Sequence, residues 1–201
     1  KIREADEVEE DLDARVLGNF LHEVIELFYK QILERKRSKL IEADDLTGSE
    51  TEIEKLIDEV FVRSYRLDPG KKVQYEGQRL VVREIVKRFA GKIVEMDRLY
   101  APFYMEALEQ EGLVHTIKLE GSQRSVLISG KIDRVDRKDK KLRVIDYKTG
   151  KDELDFDNIP SLFSREGKRN KAAFQTLLYA LLYKSNTEWK GFSIVPGLIN
   201  R

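Results

Sequence analysis

The sequence predicts an α+β domain. Three observations carry that expectation: apolar residues recur at helical spacing up to about position 100, strand-like alternation takes over after Ala101-Pro102, and one more apolar helix and one more strand-like segment follow. In the first helix, about Asp11 to Lys36, Leu17, Leu21, Val24, Ile25, Phe28 and Ile32 fall on one face. The acidic residues ahead of it read as a solvated lead-in or as the helix start. A second helix carries Ile53, Leu56, Ile57, Val60 and Phe61, with Ser49 and Glu52 spaced as a capping box. Pro69-Gly70 within RLDPGKK (66–72) marks a turn. A third helix is expected over 74–99, with Leu80, Ile85, Phe89 and Ile93 inside.

Segments 103–109, 112–119, 125–136 and 141–148 read as strands, the last alternating cleanly as KLRVIDYK. RKDKK (137–141) would be the loop between the last two. A polar loop over 150–170 leads into a helix at 172–184 and a final strand at 190–195.

Composition excludes several classes of function. Hydrophobic residues are 41% of the chain, enough for a core, and 37 basic residues balance 37 acidic ones. A global polycation is therefore excluded, and any nucleic-acid contact needs local segregation of charge. The absence of cysteine removes disulfides, thiol catalysis, zinc ribbons and iron–sulfur clusters. No apolar run approaches the ~20 residues of a membrane span, and KIREADEVEE is no signal peptide. The expectation is an intracellular, cytoplasmic domain cut from a longer protein, with no membrane partner. No Gly-Lys pair completes a P-loop, so no ATPase motor is expected within these residues.

The chemistry concentrates in GKIDRVDRKDKKLRVIDYKTGK (130–151). Residues two apart in a strand share a face, so Asp146 and Lys148 project together while Ile145 and Tyr147 turn away. Asp133, across the hairpin, can lie beside Asp146. Two carboxylates, with a nearby backbone carbonyl, suit a hard cation such as Mg²⁺. Lys148 would position an attacking water or offset charge developing on a phosphorane. An Asp-x-Lys by itself is usually a solvated face, but Ile128, Ile132, Val144 and Ile145 mark both strands as core strands. Two helical stripes add polar groups: Gly18, His22 and Glu26 on the first helix, Gln175 and Tyr179 on the late one. HEVIE is not the zinc-protease motif, since glutamate replaces its second histidine. His115 has no evident role.

Local charge also suits a phosphate-bearing substrate. From Lys131 to Lys151, nine basic residues face four aspartates, a local net of +5, and REGKRNK (165–171) adds Arg165, Lys168, Arg169 and Lys171 against Glu166. One cationic face around an acidic site is the expectation.

The order Gly18-Asn19-Phe20-Leu21-His22, Gly130-Lys131-Ile132-Asp133, Asp146-Tyr147-Lys148-Thr149-Gly150 and Gln175-Thr176-Leu177-Leu178-Tyr179 resembles the PD-(D/E)XK nuclease superfamily. Within it, the RecB-type nuclease domain found at the C-terminus of AddB-type subunits is most similar, and the resemblance spans about 18–183. It implies a restriction-endonuclease-type core, a central mixed sheet flanked by helices, with 40–100 as a helical insertion in one domain over 1–201. It further implies that His22, Asp133, Asp146 and the Tyr147 carbonyl hold Mg²⁺ or Mn²⁺. By the same resemblance Lys148 is catalytic with Asp133 and Asp146, and Gln175 and Tyr179 support the site and contact DNA. Lacking cysteine, the chain would belong to the cluster-free branch. Glu106, Glu109 and Glu120 are candidates for a further acidic ligand. The implied activity is a DNA exonuclease in repair or recombination, partnered by a helicase or parent chain. The competing reading is a catalytically silent module that binds DNA or a partner.

Overall fold

The computed structural model describes residues 2–150, 155–164, 170–185, 189 and 191–200, with side chains from Arg15 onward. The chain divides into two compact units, residues 1–103 and 104–200.

The first unit is helical: α1 (Ile2–Lys36), a two-residue strand β1 (Leu40–Ile41), a 3₁₀ turn (Ala43–Leu46), α2 (Glu50–Ser64) and α3 (Gln78–Tyr100). Leu21, Val24, Ile25, Phe28 and Ile32 of α1 are buried, as their spacing requires, and so are Ile53, Leu56, Ile57, Val60 and Phe61 of α2. Thus 40–100 packs with α1 in one unit. Tyr29 and Asp97 are both buried and hydrogen-bonded to each other, satisfying two polar groups inside the apolar layer.

Two local expectations fail. Ser49 caps α2 by position, but its side chain makes no capping bond. The reciprocal capping box instead joins Glu42 and Asp45 at the 3₁₀ turn, where Lys36 also pairs with both carboxylates. In α3, Leu80 is exposed and Ile85 half-buried; the buried stripe is Val82, Val86, Phe89, Ala90 and Ile93. Both stripes fit helical spacing, so only packing could choose between them. The turn at 66–72 forms, with Gly70 N donating to Asp68 Oδ1 at 2.9 Å.

Sheet strands β2 (Phe103–Lys118), β3 (Ser125–Lys138), β4 (Lys141–Lys148) and β5 (Ser193–Asn200) lie side by side in sequence order. β2–β3 and β3–β4 are antiparallel and β4–β5 parallel, so the sheet is mixed. A parallel neighbour needs a crossover, and α4 (Lys171–Lys184) supplies it. Segments 103–109 and 112–119 are one strand, irregular between Met105 and Ala107 and between Gln110 and Leu113. The last strand starts later than expected and runs to Asn200. The β3–β4 loop is only Asp139-Lys140, with Asp139 in the left-handed region at φ 53°. Beyond Gly112 and Gly130, the β2–β3 ribbon is largely exposed.

Ile132, Val135, Leu142 and Val144 from β3 and β4 form the core of this unit with Tyr179, Leu182 and Tyr183 of α4. Asn170 starts α4 by accepting the Ala173 N–H at 2.9 Å. Among the described residues, no helix is long and apolar enough to cross a membrane.

Leu142 is fully buried at the centre of that cluster. Leu142→Ala should cost about 2–5 kcal/mol in urea unfolding, the range for a buried leucine that leaves a cavity; a cost below ~1 kcal/mol would show that the sheet and α4 are not closely packed there.

Candidate metal-binding and catalytic site

Strand register brings the site together. β2 and β3 pair Leu108 with Arg134 and Gln110 with Ile132, which sets Glu109 opposite Asp133. β3 and β4 pair Arg134 with Ile145, and the same register carried one residue further sets Asp133 opposite Asp146. Directly opposed residues share a face, so three adjacent strands each contribute one carboxylate. Glu109 and Asp133 bring carboxylate oxygens within 4.8 Å of each other. Asp133 and Asp146 are buried, at 7% and 1% exposure.

The β3–β4 ladder ends at this point. The Tyr147 N–H, two residues beyond the last paired position, donates to Asp133 Oδ2 at 2.8 Å. A side-chain carboxylate thus takes a main-chain donor, and Asp133 is fixed in place by β4 itself. Asp146 Oδ2 lies 2.8 Å from Lys148 Nζ. Glu109 pairs with Lys131 at 2.9 Å, and that hydrogen bond holds the Lys131 ammonium above its ordinary pKa. Glu109 has φ 45°, in the left-handed region that a residue with a Cβ seldom occupies. Such a conformation costs on the order of 1 kcal/mol and persists only where surrounding structure enforces it.

Behind this face lies a buried ionic network. Arg134 is fully buried; it donates to the Tyr147 hydroxyl at 3.2 Å and to Asp136 Oδ2 at 2.6 Å. Arg143 grips the same Asp136 carboxylate through two bonds, at 2.7 and 2.8 Å. Tyr147 therefore links the two faces, its hydroxyl held by Arg134 and its N–H by Asp133. Sequence reasoning left Arg134 and Asp136 among the surface charges. Their alternation within a strand flanked by core residues was the available signal.

α4 adds a hydrogen-bonded chain of defined direction. Lys148 Nζ donates to Gln175 Oε1 at 3.0 Å, and Gln175 Nε2 donates to the Tyr179 hydroxyl at 2.7 Å. An ammonium can only donate, so Gln175 must present its oxygen to Lys148 and its amide hydrogens to Tyr179. Tyr179 accepts there, which leaves its own hydroxyl proton to be donated elsewhere. The Tyr179 ring packs on Gly130: a Cβ at that glycine would stand 2.5 Å from Tyr179 Cε1. Gly130, Tyr179, Gln175, Lys148 and Asp146 thus form one connected set.

His22 lies half-buried on α1 in the first unit, four residues after Gly18. Glu26, the third member of that stripe, pairs with Lys30 at 2.6 Å. Of the candidate extra acids, Glu106 pairs with Arg137 at 2.7 Å and Glu120 is exposed in the β2–β3 turn, which leaves Glu109 as the one beside Asp133.

Ion pairs occupy part of the expected cationic face. Lys131, Arg134, Arg137, Arg143 and Lys148 all sit in ion pairs with carboxylates, several from β2, which lies outside the 131–151 window. Lys138, Lys140 and Lys141 occupy the far end of β4 from Lys148, roughly 20 Å away at ~3.3 Å per residue. Lys151, Arg165, Lys168 and Arg169 lie outside the described residues. Among the described residues, the basic groups nearest the acids are paired with carboxylates.

Glu109 and Asp133 converge as oxygen donors and the chain has no cysteine, a set that fits a hard divalent cation such as Mg²⁺ or Mn²⁺ and not a thiophilic one.

Gly130→Ala should cost about 1–3 kcal/mol through overpacking against Tyr179. In a Tyr179→Ala background that cost should vanish. A double-mutant cycle by urea unfolding checks it, and additive costs would place the clash elsewhere.

No curated protein and no solved structure matches the chain. The model of the PD-(D/E)XK nuclease superfamily matches residues 1–196. With opposed acids on neighbouring strands and the Asp146-x-Lys148 pair joined to α4, this chain belongs to the PD-(D/E)XK nuclease superfamily.

Proposed function

We propose that the protein is a Mg²⁺- or Mn²⁺-dependent deoxyribonuclease domain of RecB type, hydrolysing DNA phosphodiesters as an exonuclease in repair or recombination beside a helicase partner. The observation that carries the hydrolytic reading is the Asp146–Lys148–Gln175 arrangement on β4 and α4, with Glu109 and Asp133 converging on the neighbouring strands β2 and β3. A silent binding module has no use for a lysine held between a carboxylate and an amide at an acidic cluster. The order of the four sequence motifs supports the RecB assignment.

In this reading Asp133, Asp146 and the Tyr147 carbonyl hold the cation, His22 completes the set from α1, and Glu109 joins them as a further ligand. A divalent ion supplies Lewis-acid polarisation of the phosphoryl oxygens and lowers the pKa of bound water. The chain's own groups do the rest. Lys148 directs one donor at Gln175 and lies against Asp146, which leaves a third donor for a phosphate oxygen or the attacking water. Its charge offsets the negative charge that grows on phosphorus as the water adds. Gln175 stops the ammonium from swinging away, and Tyr179 offers its hydroxyl proton to a neighbouring phosphate. The left-handed backbone at Glu109 fits a carboxylate held to a geometry that binding requires.

The test is cleavage of end-labelled linear single- and double-stranded DNA with Mg²⁺, Mn²⁺ or EDTA. Asp146→Ala should abolish cutting and Mn²⁺ binding by calorimetry, whereas Lys148→Ala should keep the ion and lose at least ~10²-fold in rate, a typical loss for one electrostatic donor. Loss of Mn²⁺ from the lysine variant would make Lys148 structural. DNA binding without metal-dependent cutting would favour the silent module.

Glu109→Gln tests the added ligand separately. It should weaken Mn²⁺ binding about 10-fold or more with little change in urea midpoint, the size of effect seen when groups around a metal are altered. Unchanged affinity would return Glu109 to the role of partner for Lys131.

A further inference from the structure

We infer that Tyr183 is a positioning residue for the metal site: through Gln110 it pins the short stretch of β2 that carries Glu109, and so holds that carboxylate beside Asp133. The inference rests on the metal-dependent reading above and names what fixes its added ligand.

β2 runs past Asp133 as an island between two irregularities. Met105 pairs with Asp136 and Ala107 with Val135, two steps along β2 against one along β3. Gln110 pairs with Ile132 and Leu113 with Gly130, three steps against two. Each mismatch is one extra residue on β2, a β-bulge, which interrupts the ladder and re-aims the strand. Between them, only Ala107 to Gln110 keep step with β3. Glu109 lies in that stretch at φ 45°. A left-handed residue departs from strand alternation, so the placement of the backbone around it sets where its carboxylate points. A stretch this short, cut off from the ladder on both sides, needs a hold from outside the strand pair.

α4 supplies it. The Tyr183 hydroxyl donates to Gln110 Oε1. Tyr183 is 3% exposed and belongs to the same core cluster as Ile132, the residue opposite Gln110. Packing fixes the ring, and the bond falls on the last residue in step with β3, immediately beside Glu109. One helical turn earlier, the Tyr179 ring packs on Gly130, the partner of Leu113 across the second bulge. The same helix therefore touches β2 and β3 on the two sides of that bulge. Lys131 also meets Glu109, at 2.9 Å, but it is half exposed and reaches Glu111 as well, at 3.4 Å. An exposed, shared ion pair holds a carboxylate loosely, whereas a bond from a buried tyrosine is a fixed constraint. Phenol and amide are both neutral, so they place the strand without competing with the carboxylate for a cation. A ligand placed in advance loses less freedom when the ion binds.

The test measures Mn²⁺ binding to the full chain by calorimetry. Tyr183→Phe, which keeps the ring and removes the donor, should bind Mn²⁺ about tenfold more weakly, the size of effect typical of groups that orient a metal ligand. Gln110→Met, which keeps the length and removes the acceptor, should do the same. In a Glu109→Gln background neither change should weaken binding further, because both act through that carboxylate. Urea unfolding without metal checks that each variant is folded. Unchanged Mn²⁺ affinity in Tyr183→Phe and Gln110→Met would overturn the positioning role and leave the nuclease reading standing. So would a full tenfold loss when either change is added to Glu109→Gln. An original protein that binds no Mn²⁺ would remove the reading and the inference together.

Discussion

The antiparallel register of β2, β3 and β4 is the constraint on which the candidate site depends. Side chains alternate across a strand, so a slip of one residue between β3 and β4 would move Asp146 and Lys148 to the opposite face from Asp133. The two-residue turn at Asp139-Lys140 pairs Lys138 with Lys141 and so sets the count for the whole hairpin. Aspartate tolerates the left-handed conformation that this turn imposes. The register of β2 does the same for Glu109, and the irregularities on either side of it confine the aligned stretch to a few residues around Asp133.

The ionic network on the other face penalises a slip. Arg134 and Asp136 are fully buried, and the guanidinium donates to Asp136 and to the Tyr147 hydroxyl. A shifted β4 would strand a buried charge, which costs several kcal/mol, whereas shifted apolar residues would merely repack. The value of the network is thus in register more than in net stability. Since Tyr147 is the middle residue of Asp146-Tyr147-Lys148, the network is linked directly to the strand that carries the candidate site. Consecutive residues of one short motif divide between the two faces: Asp146 and Lys148 lie on the face shared with α4, and the Tyr147 ring meets Arg134 on the other.

α4 adds direction to this arrangement. Lys148 lies between Asp146 and the Gln175 carbonyl oxygen, and the Gln175 amide donates on to the Tyr179 hydroxyl. Gly130 is what allows it, because any Cβ there would push the Tyr179 ring away. A glycine in β3 and a tyrosine in α4, far apart in sequence, are halves of one contact.

Much of the fold was legible because periodicity reports which face is buried. The stripes of α1 and α2 and the alternation of KLRVIDYK translate directly into the observed elements. The third helix was misread at its start, since two stripes fit the same spacing and only its neighbours choose between them. Counting over 131–151 could not see the glutamates of β2 that pair with Lys131 and Arg137. Glu109 was one of three candidate acids for the same reason: irregular positions in β2 hide its register from the sequence.

By itself the sequence determined the residue types: two aspartates and a lysine at strand spacing, an amide and a phenol at helical spacing, and no soft ligand. Those are properties of local geometry, fixed by periods of two and of about 3.6 residues. Tertiary structure decided which of the many charges meet. It chose Glu109 over Glu106 and Glu120, buried Arg134 behind the site, and joined Lys148 to α4. Strand register and crossover packing are long-range choices that no local period contains.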